Sequence, residues 1–228
     1  MLRLLKSYIP YSLKTYYKKN FVKFNALKSL DKIMLEYLNY KDGYFIEMGA
    51  HDGIQNSNTF YYEKYLNWKG VLIEPSKYYN HLIKNRSKKN IFFNFACAEK
   101  IDGNTSMLYG SGDRSFVKKH IDKKLSEYYL KKSLQANYSL SKKNIELRTL
   151  ASILIEAKAP ALIDFFSLDV EGMEIKVLKG NDFRKFNFKF ILVECANEEN
   201  FKKIYEFLTE KNYKFVKKLT PWDILYKY

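Results

Sequence analysis

The chain is poor in cysteine, lacks any long apolar run, and carries no acid at all over its first thirty residues. Each of these narrows its class. Cys97 and Cys195 are isolated thiols without metal-ligand spacing, a usage that fits a reduced, cytosolic protein better than a disulfide-stapled secreted one. No segment reaches the roughly 20 uninterrupted apolar residues of a membrane span. The opening MLRLLKSYIPYSLKTYYKKN has only scattered apolar residues, so no secretory core or cleavage signature is expected there. No internal repeat and no recognisable RNA-binding module stand out. With 46% hydrophobic residues in 228, dominant disorder is excluded and the length fits one continuous core.

Positive charge is abundant instead. The formal net charge is +15, concentrated in Met1–Leu30 and again around residues 111–144, where Lys118-Lys119, Lys123-Lys124, Lys131-Lys132 and Lys142-Lys143 recur. Such patches attract phosphates, nucleic acid or anionic headgroups, although a lysine-rich solvated face has the same composition. Residues 1–40 read as a basic, mostly helical extension in which Leu27, Leu30, Met34 and Leu38 mark one buried face. Residues 41–228 form the main domain, with the basic segment at 111–144, including Tyr128, Tyr129 and Tyr138, read as an insertion or lid.

Within that domain, strands at Tyr44–Met48, Val71–Ile73, Ile91–Ala96, Ile163–Leu168 and Phe190–Val193 alternate with helices. The helices are expected at about Asn58–Tyr65, Ser76–Lys84, Thr149–Glu156, Glu171–Lys179 and Glu198–Glu210. Gly103, Gly110 and Gly112 punctuate an irregular middle. The tail from Tyr213 to Tyr228 reads as two strands turning near Pro221. This alternation predicts a parallel sheet covered on both faces, closed by a late antiparallel pair.

Ligands of open α/β sheets lie beyond the carboxyl ends of the strands. Those ends carry Glu47 with Gly49 and Gly53, then Glu74, Asp169 and Glu194. A dinucleotide loop would read G-x-G-x-x-G; here the pattern is E-x-G-x-x-x-G beside carboxylates that repel pyrophosphate. Hydroxyls and positive charge suit these acids, and S-adenosylmethionine carries both. Glu74 is placed to accept bonds from the ribose diol, and Glu47 to meet the amino-acid end directly or through water.

The stretches FIEMGAHDGIQNSNTFYYEKYLNWKGVLIEP, FACAEK, IDFFSLDVEGMEIKVLKG and ILVECA, in that order between Tyr44 and Ala196, resemble the FkbM family of S-adenosylmethionine-dependent methyltransferases. The resemblance implies an α/β class I methyltransferase fold, Rossmann-like, with a seven-stranded mixed sheet of order 3-2-1-4-5-7-6 and helices on both faces. It implies a cofactor loop of Glu47, Gly49, Ala50, His51 and Gly53, with Glu74 and Pro75 at the ribose. Ala96 and Cys97 fall at the adenine, and Asp169 where methionine and acceptor converge. Where the family often has asparagine, this chain has His51. Sugars and natural-product intermediates are acceptors in the family, which implies O-methylation of a carbohydrate-like hydroxyl.

Asp169 is the first candidate for the base that removes a hydroxyl proton, with cofactor orientation as its alternative. His51 is a second candidate for base or a loop-stabilising residue. Glu171 either caps the following helix or enters the acceptor pocket, and Glu174 reads as a solvated helix charge. Asn56, Ser57 and Asn58 suit helix capping and cofactor contact alike. Arg86 has the option of pairing with an acid near the cofactor. Magnesium between Asp169 and Glu194 is conceivable but not favoured, since two carboxylates do not define an octahedral site. The expected acceptor is carbohydrate-like, with peripheral association to an anionic membrane face as a further partner. An RNA methyltransferase and a non-catalytic cofactor-binding module are the alternatives. Methyl release to an acceptor separates enzyme from module.

Overall fold

A computed structural model describes residues 10–100, 105–111, 114–135, 139–195 and 197–228. The first nine residues of the basic extension, and Gly103, Gly112, Tyr138 and Ala196, lie outside the described residues. The main sheet is built from β1 (Tyr44–Met48), β2 (Lys69–Ile73), β3 (Ile91–Phe93), β8 (Leu162–Leu168), β9 (Asn187–Glu194), β10 (Lys214–Lys218) and β11 (Asp223–Lys227). Its order is β10-β11-β9-β8-β1-β2-β3. All neighbours are parallel except β11, which runs antiparallel to both β9 and β10. The sheet is therefore mixed and flanked by helices.

Period-two alternation sends successive side chains to opposite faces. Ile46, Phe166 and Ile191 enter one core with Leu154 and Val177, whereas Phe45, Phe165 and Leu192 enter the other with Met34, Tyr62 and Trp68. Helices α4 (Phe60–Leu66), α5 (Tyr79–Asn85), α7 (Leu150–Glu156), α8 (Glu174–Lys179) and α9 (Glu198–Glu210) follow the strands. Thr149 and Asn197 start α7 and α9 by accepting the amides of Ser152 and Asn200, the usual service of an N-terminal cap.

Four expectations change. The region before β1 is broken rather than one helical face: α1 (Tyr11–Phe21) is followed by a turn and the short helices α2 (Leu30–Ile33) and α3 (Leu35–Leu38). Lys28 and Ser29 take left-handed backbone there, so Leu27 points outward, 56% exposed, while Leu30, Met34 and Leu38 stay buried. The third strand stops at Phe93, and Ala96–Cys97 forms β4 in a second sheet. That sheet, β4-β7-β5-β6, adds β5 (Thr105–Ser111), β6 (Arg114–Val117) and β7 (Leu140–Arg148), with α6 (Lys123–Gln135) between β6 and β7. Among the described residues, the basic segment thus contributes a β-α-β unit of β6, α6 and β7, and the second sheet with α6 packs on Met173 through Leu108, Phe116, Leu125, Tyr129 and Ile145. Finally, α8 begins at Glu174, because Glu171 and Gly172 turn with φ of +54° and +98°.

Candidate active site

The carboxyl ends of β1, β2, β8 and β9 meet in a narrow space. The Gly49 and Ala50 amides donate to the Ile73 carbonyl at 3.0 and 3.1 Å, and the Asp169 amide donates to that of Met48 at 3.1 Å. Gly49 has φ +82°, and a Cβ there would lie 2.0 Å from the Asp169 carbonyl oxygen. Only glycine allows this approach.

Two clefts open over this junction. One is walled by Ile73, Glu74, Pro75, Phe95, Ala96 and Cys97, with Phe116 and Val117 of the second sheet across from them. The other is lined by Ala50, Gln55, Arg114, Tyr129, Lys132 and Glu194. Gly49, His51, Asp169 and Glu171 border both. Of the residues expected from sequence, Gly49, Ala50, His51, Glu74, Pro75, Ala96, Cys97, Asp169 and Glu171 are cleft walls. Glu47, Gly53 and Asn58 are not.

Glu47, expected to meet the amino-acid end directly or through water, lies behind the loop and is not itself a cleft wall. Its carboxylate is buried and accepts bonds from the Ser57 hydroxyl at 2.9 Å, the Asn58 amide at 2.7 Å and the Thr59 hydroxyl at 2.6 Å. Arg86 adds an ion pair at 3.1 Å and spans to Glu63 at 2.7 Å. Asn58 donates to the Ser167 hydroxyl at 2.9 Å, and Gly53 lies against the Arg86 and Leu82 side chains. These residues fix the loop from behind. Glu74, by contrast, faces the cleft. Its two oxygens accept the His51 and Ser76 amides at 2.7 and 2.8 Å, which leaves each with a further lone pair.

Asp52 is a residue that the sequence reading missed, as are Gln55, Arg114 and Lys132 of the second cleft. Asp52 is fully buried and accepts from Tyr11 at 2.7 Å, Thr15 at 2.9 Å, and the Ile54 and Gln55 amides at 2.9 and 2.8 Å. Hydrogen bonds from the His51 and Tyr11 side chains, with those amides, overcome burial and hold its carboxyl well below the usual range. The signal available in sequence was an aspartate before glycine in a turn, a residue that commonly binds the amides two and three positions on. His51 lies beside it, Nδ1 at 3.7 Å from Asp52 Oδ1, with its ring 3.8 Å from that of Tyr78.

Acidity is concentrated at the far side of the junction. Burial pushes Asp169 well above the ordinary carboxylate range, and the charges of Glu194 and Glu171 push it further. Burial and then Glu194 raise Glu171 to about 7, against the pull of Arg114, whose Nε lies 3.2 Å from Glu171 Oε1. Glu174 is not the solvated helix charge expected. It is 1% exposed, accepts the Gly172 amide at 2.9 Å and the Val170 amide at 3.3 Å, and is raised to about 7 by burial. The Cys97 thiol, buried in the cleft wall, is pushed up to about 12 by burial, so it remains protonated and a poor nucleophile. Among the described residues, no group of three or more His, Cys, Asp or Glu side chains is arranged to hold a metal ion.

Fold and site together define a methyltransferase-like α/β protein. Residues 47–215, more than half of the chain, match the methyltransferase FkbM domain. The chain belongs to the FkbM family of S-adenosylmethionine-dependent methyltransferases, with S-adenosylmethionine as cofactor. Among solved structures it is similar to the methyltransferase FkbM of Methylobacillus flagellatus KT, at 14% identity and a TM-score of 0.49, over 85% of this chain and 45% of that one. The chain thus spans less than half the length of that protein. It is also similar to precorrin-6y C5,15-methyltransferase of Geobacter metallireducens GS-15, at 13% identity and a TM-score of 0.45, over 92% of this chain and 97% of that one. A comparison with curated proteins gives no match.

Proposed function

We propose that the chain is an O-methyltransferase acting on a sugar hydroxyl of a glycan, glycolipid or related intermediate. The observation that carries this is the junction of two clefts at Gly49, His51, Asp169 and Glu171, with Glu194 on the acceptor side. Numbered within the main sheet alone, the strand order reads 3-2-1-4-5-7-6, which supports a class I methyltransferase domain in residues 41–228. The first cleft fits the cofactor on two counts. Gly49 lets the first loop close onto Asp169 and so builds the shared wall, and Glu74 offers spare lone pairs beside an apolar wall suited to a purine.

When bound, S-adenosylmethionine supplies an electrophilic methyl group on a positively charged sulfur. Glu74 holds the ribose hydroxyls, Ile73, Pro75, Phe95, Ala96 and Cys97 enclose the base, and the Gly49–His51 backbone borders the amino-acid end. In this scheme Glu47, Gly53 and Asn58 keep the loop in place. Asp169, at the shared wall, takes the hydroxyl proton as the new bond forms; its raised basicity suits a weakly acidic alcohol. Glu171 and Glu194 accept hydrogen bonds from neighbouring hydroxyls, as a polyhydroxylated acceptor requires. Arg114 and the Tyr129 hydroxyl orient Glu171. His51 stands as the alternative base.

The test is transfer of labelled methyl from S-adenosylmethionine into extracts of the producing organism, followed by mass spectrometry of the product. A methyl ether on a carbohydrate is expected. Methyl on nucleic acid or protein, or cofactor binding without transfer to any fraction, would overturn the assignment.

A further inference from the structure

Helix α1 turns its apolar side outward. Leu13, Tyr16, Tyr17 and Phe21 are 55%, 59%, 58% and 67% exposed, and steps of three and four residues place them on one face. The side that meets the protein is polar, with Tyr11 and Thr15 bonded to Asp52. This inverts the arrangement of an ordinary surface helix, whose apolar stripe faces the core. Lys14, Lys18 and Lys19 lie along the same helix, and no acid occurs from Met1 to Leu30. Beside its C-terminal end is a hollow lined by Lys19, Asn20, Lys64 and Lys89. The acid there, Glu63, is already paired with Arg86 at 2.7 Å, so the hollow remains basic.

We propose that α1 and this hollow form a docking surface for an anionic lipid bilayer. Exposed aromatic and leucine side chains enter the interface, and the lysines meet headgroups, the division of labour of an interfacial helix. Charge decides between lipid and a second copy of the chain. A copy would bring the same lysine-rich face of a protein with net charge +15, whereas an anionic leaflet attracts it. Through Asp52 the docking helix is joined to the His51 loop that borders both clefts.

Sedimentation of the full chain with vesicles of phosphatidylcholine, alone or mixed with phosphatidylglycerol, tests the proposal. Binding to the anionic vesicles is expected, weakening as salt rises. Tyr16→Ser combined with Phe21→Ser should lower it about tenfold or more by removing inserted apolar surface. Lys19→Gln and Lys89→Gln should each lower it about fivefold. All these variants should retain the wild-type thermal midpoint and S-adenosylmethionine affinity, which separates lost docking from lost fold. Absence of binding to anionic vesicles, or wild-type binding by the folded variants, overturns the proposal. So does a wild-type dimer that ignores vesicles and dissociates in the Tyr16→Ser, Phe21→Ser protein, since a second copy then covers the face. These readouts do not involve methyl transfer, so the outcome is independent of the acceptor.

Discussion

Gly49 and Asp169 approach so closely that a Cβ on residue 49 would sit 2.0 Å from the Asp169 carbonyl oxygen. The loop after β1 and the end of β8 are thereby locked into a common wall of both clefts. Gly49→Ala must push them apart, and the backbone at φ +82° resists a side chain by a further ~1–2 kcal/mol. We expect a lower thermal midpoint and a loss of S-adenosylmethionine affinity of about tenfold or more, ~1.4 kcal/mol. Wild-type values for both in titration calorimetry and thermal unfolding would show that the close approach is dispensable.

Glu74→Gln replaces one acceptor oxygen by an amide donor at nearly constant shape. Charge-assisted hydrogen bonds contribute about 1.5–3 kcal/mol each, so weaker cofactor binding is expected. Glu74 also holds the His51 and Ser76 amides. A shift in affinity with little change in midpoint assigns the effect to the ribose; unchanged affinity removes Glu74 from that role.

The sequence made β1 legible because an apolar run lay between Lys41-Asp42-Gly43 and Gly49, and the antiparallel tail legible because too few residues separated its strands for a helical crossover. The position of Glu47 behind the cleft wall has a reason also present in sequence. Alternation puts it on the face of Phe45, opposite Ile46 and Met48, so its side chain points behind the loop towards Arg86. The second sheet was harder to see. Segments such as TSMLYGS are short and glycine-interrupted, and their pairing depends on partners about thirty residues away, as in Gly110 with Ser141. Glu174 followed from that gap. Its burial depends on the Glu171–Gly172 turn, where a Cβ on Gly172 would meet Leu125 of α6 at 2.4 Å. No local pattern announces such a contact.

Glu174 makes stability depend on pH in a definite direction. Its carboxyl is raised from 4.5 to about 7 in the folded protein, so between those values the native state binds more protons than the unfolded one. Its contribution is therefore fully present below pH 4.5 and is lost as pH rises towards 7. Glu174→Gln retains a neutral side chain throughout. Denaturant titrations should find the variant more stable than wild type above pH 7, by an amount on the order of 3 kcal/mol. The two should converge at the acid end. Parallel pH profiles would show that Glu174 is not titrating in this window.

Asp169 should govern the transfer step itself. Burial and the neighbouring charges of Glu194 and Glu171 raise its carboxyl, so the ionised base forms at higher pH than for an ordinary aspartate. Single-turnover transfer at saturating cofactor and acceptor should therefore rise with pH and level off once Asp169 has lost its proton. Asp169→Asn keeps the shape and the backbone bond to Met48 but removes the base, and a fall of about 10²–10⁴-fold is expected. The pH dependence should flatten at the same time, because the titrating group is gone. Cofactor affinity measured directly decides between roles: preserved binding with slow, pH-insensitive transfer identifies the base, whereas lost binding makes Asp169 a cofactor-orienting residue. His51→Gln provides the comparison. If it abolishes the pH dependence while Asp169→Asn leaves it intact, the proton goes to His51.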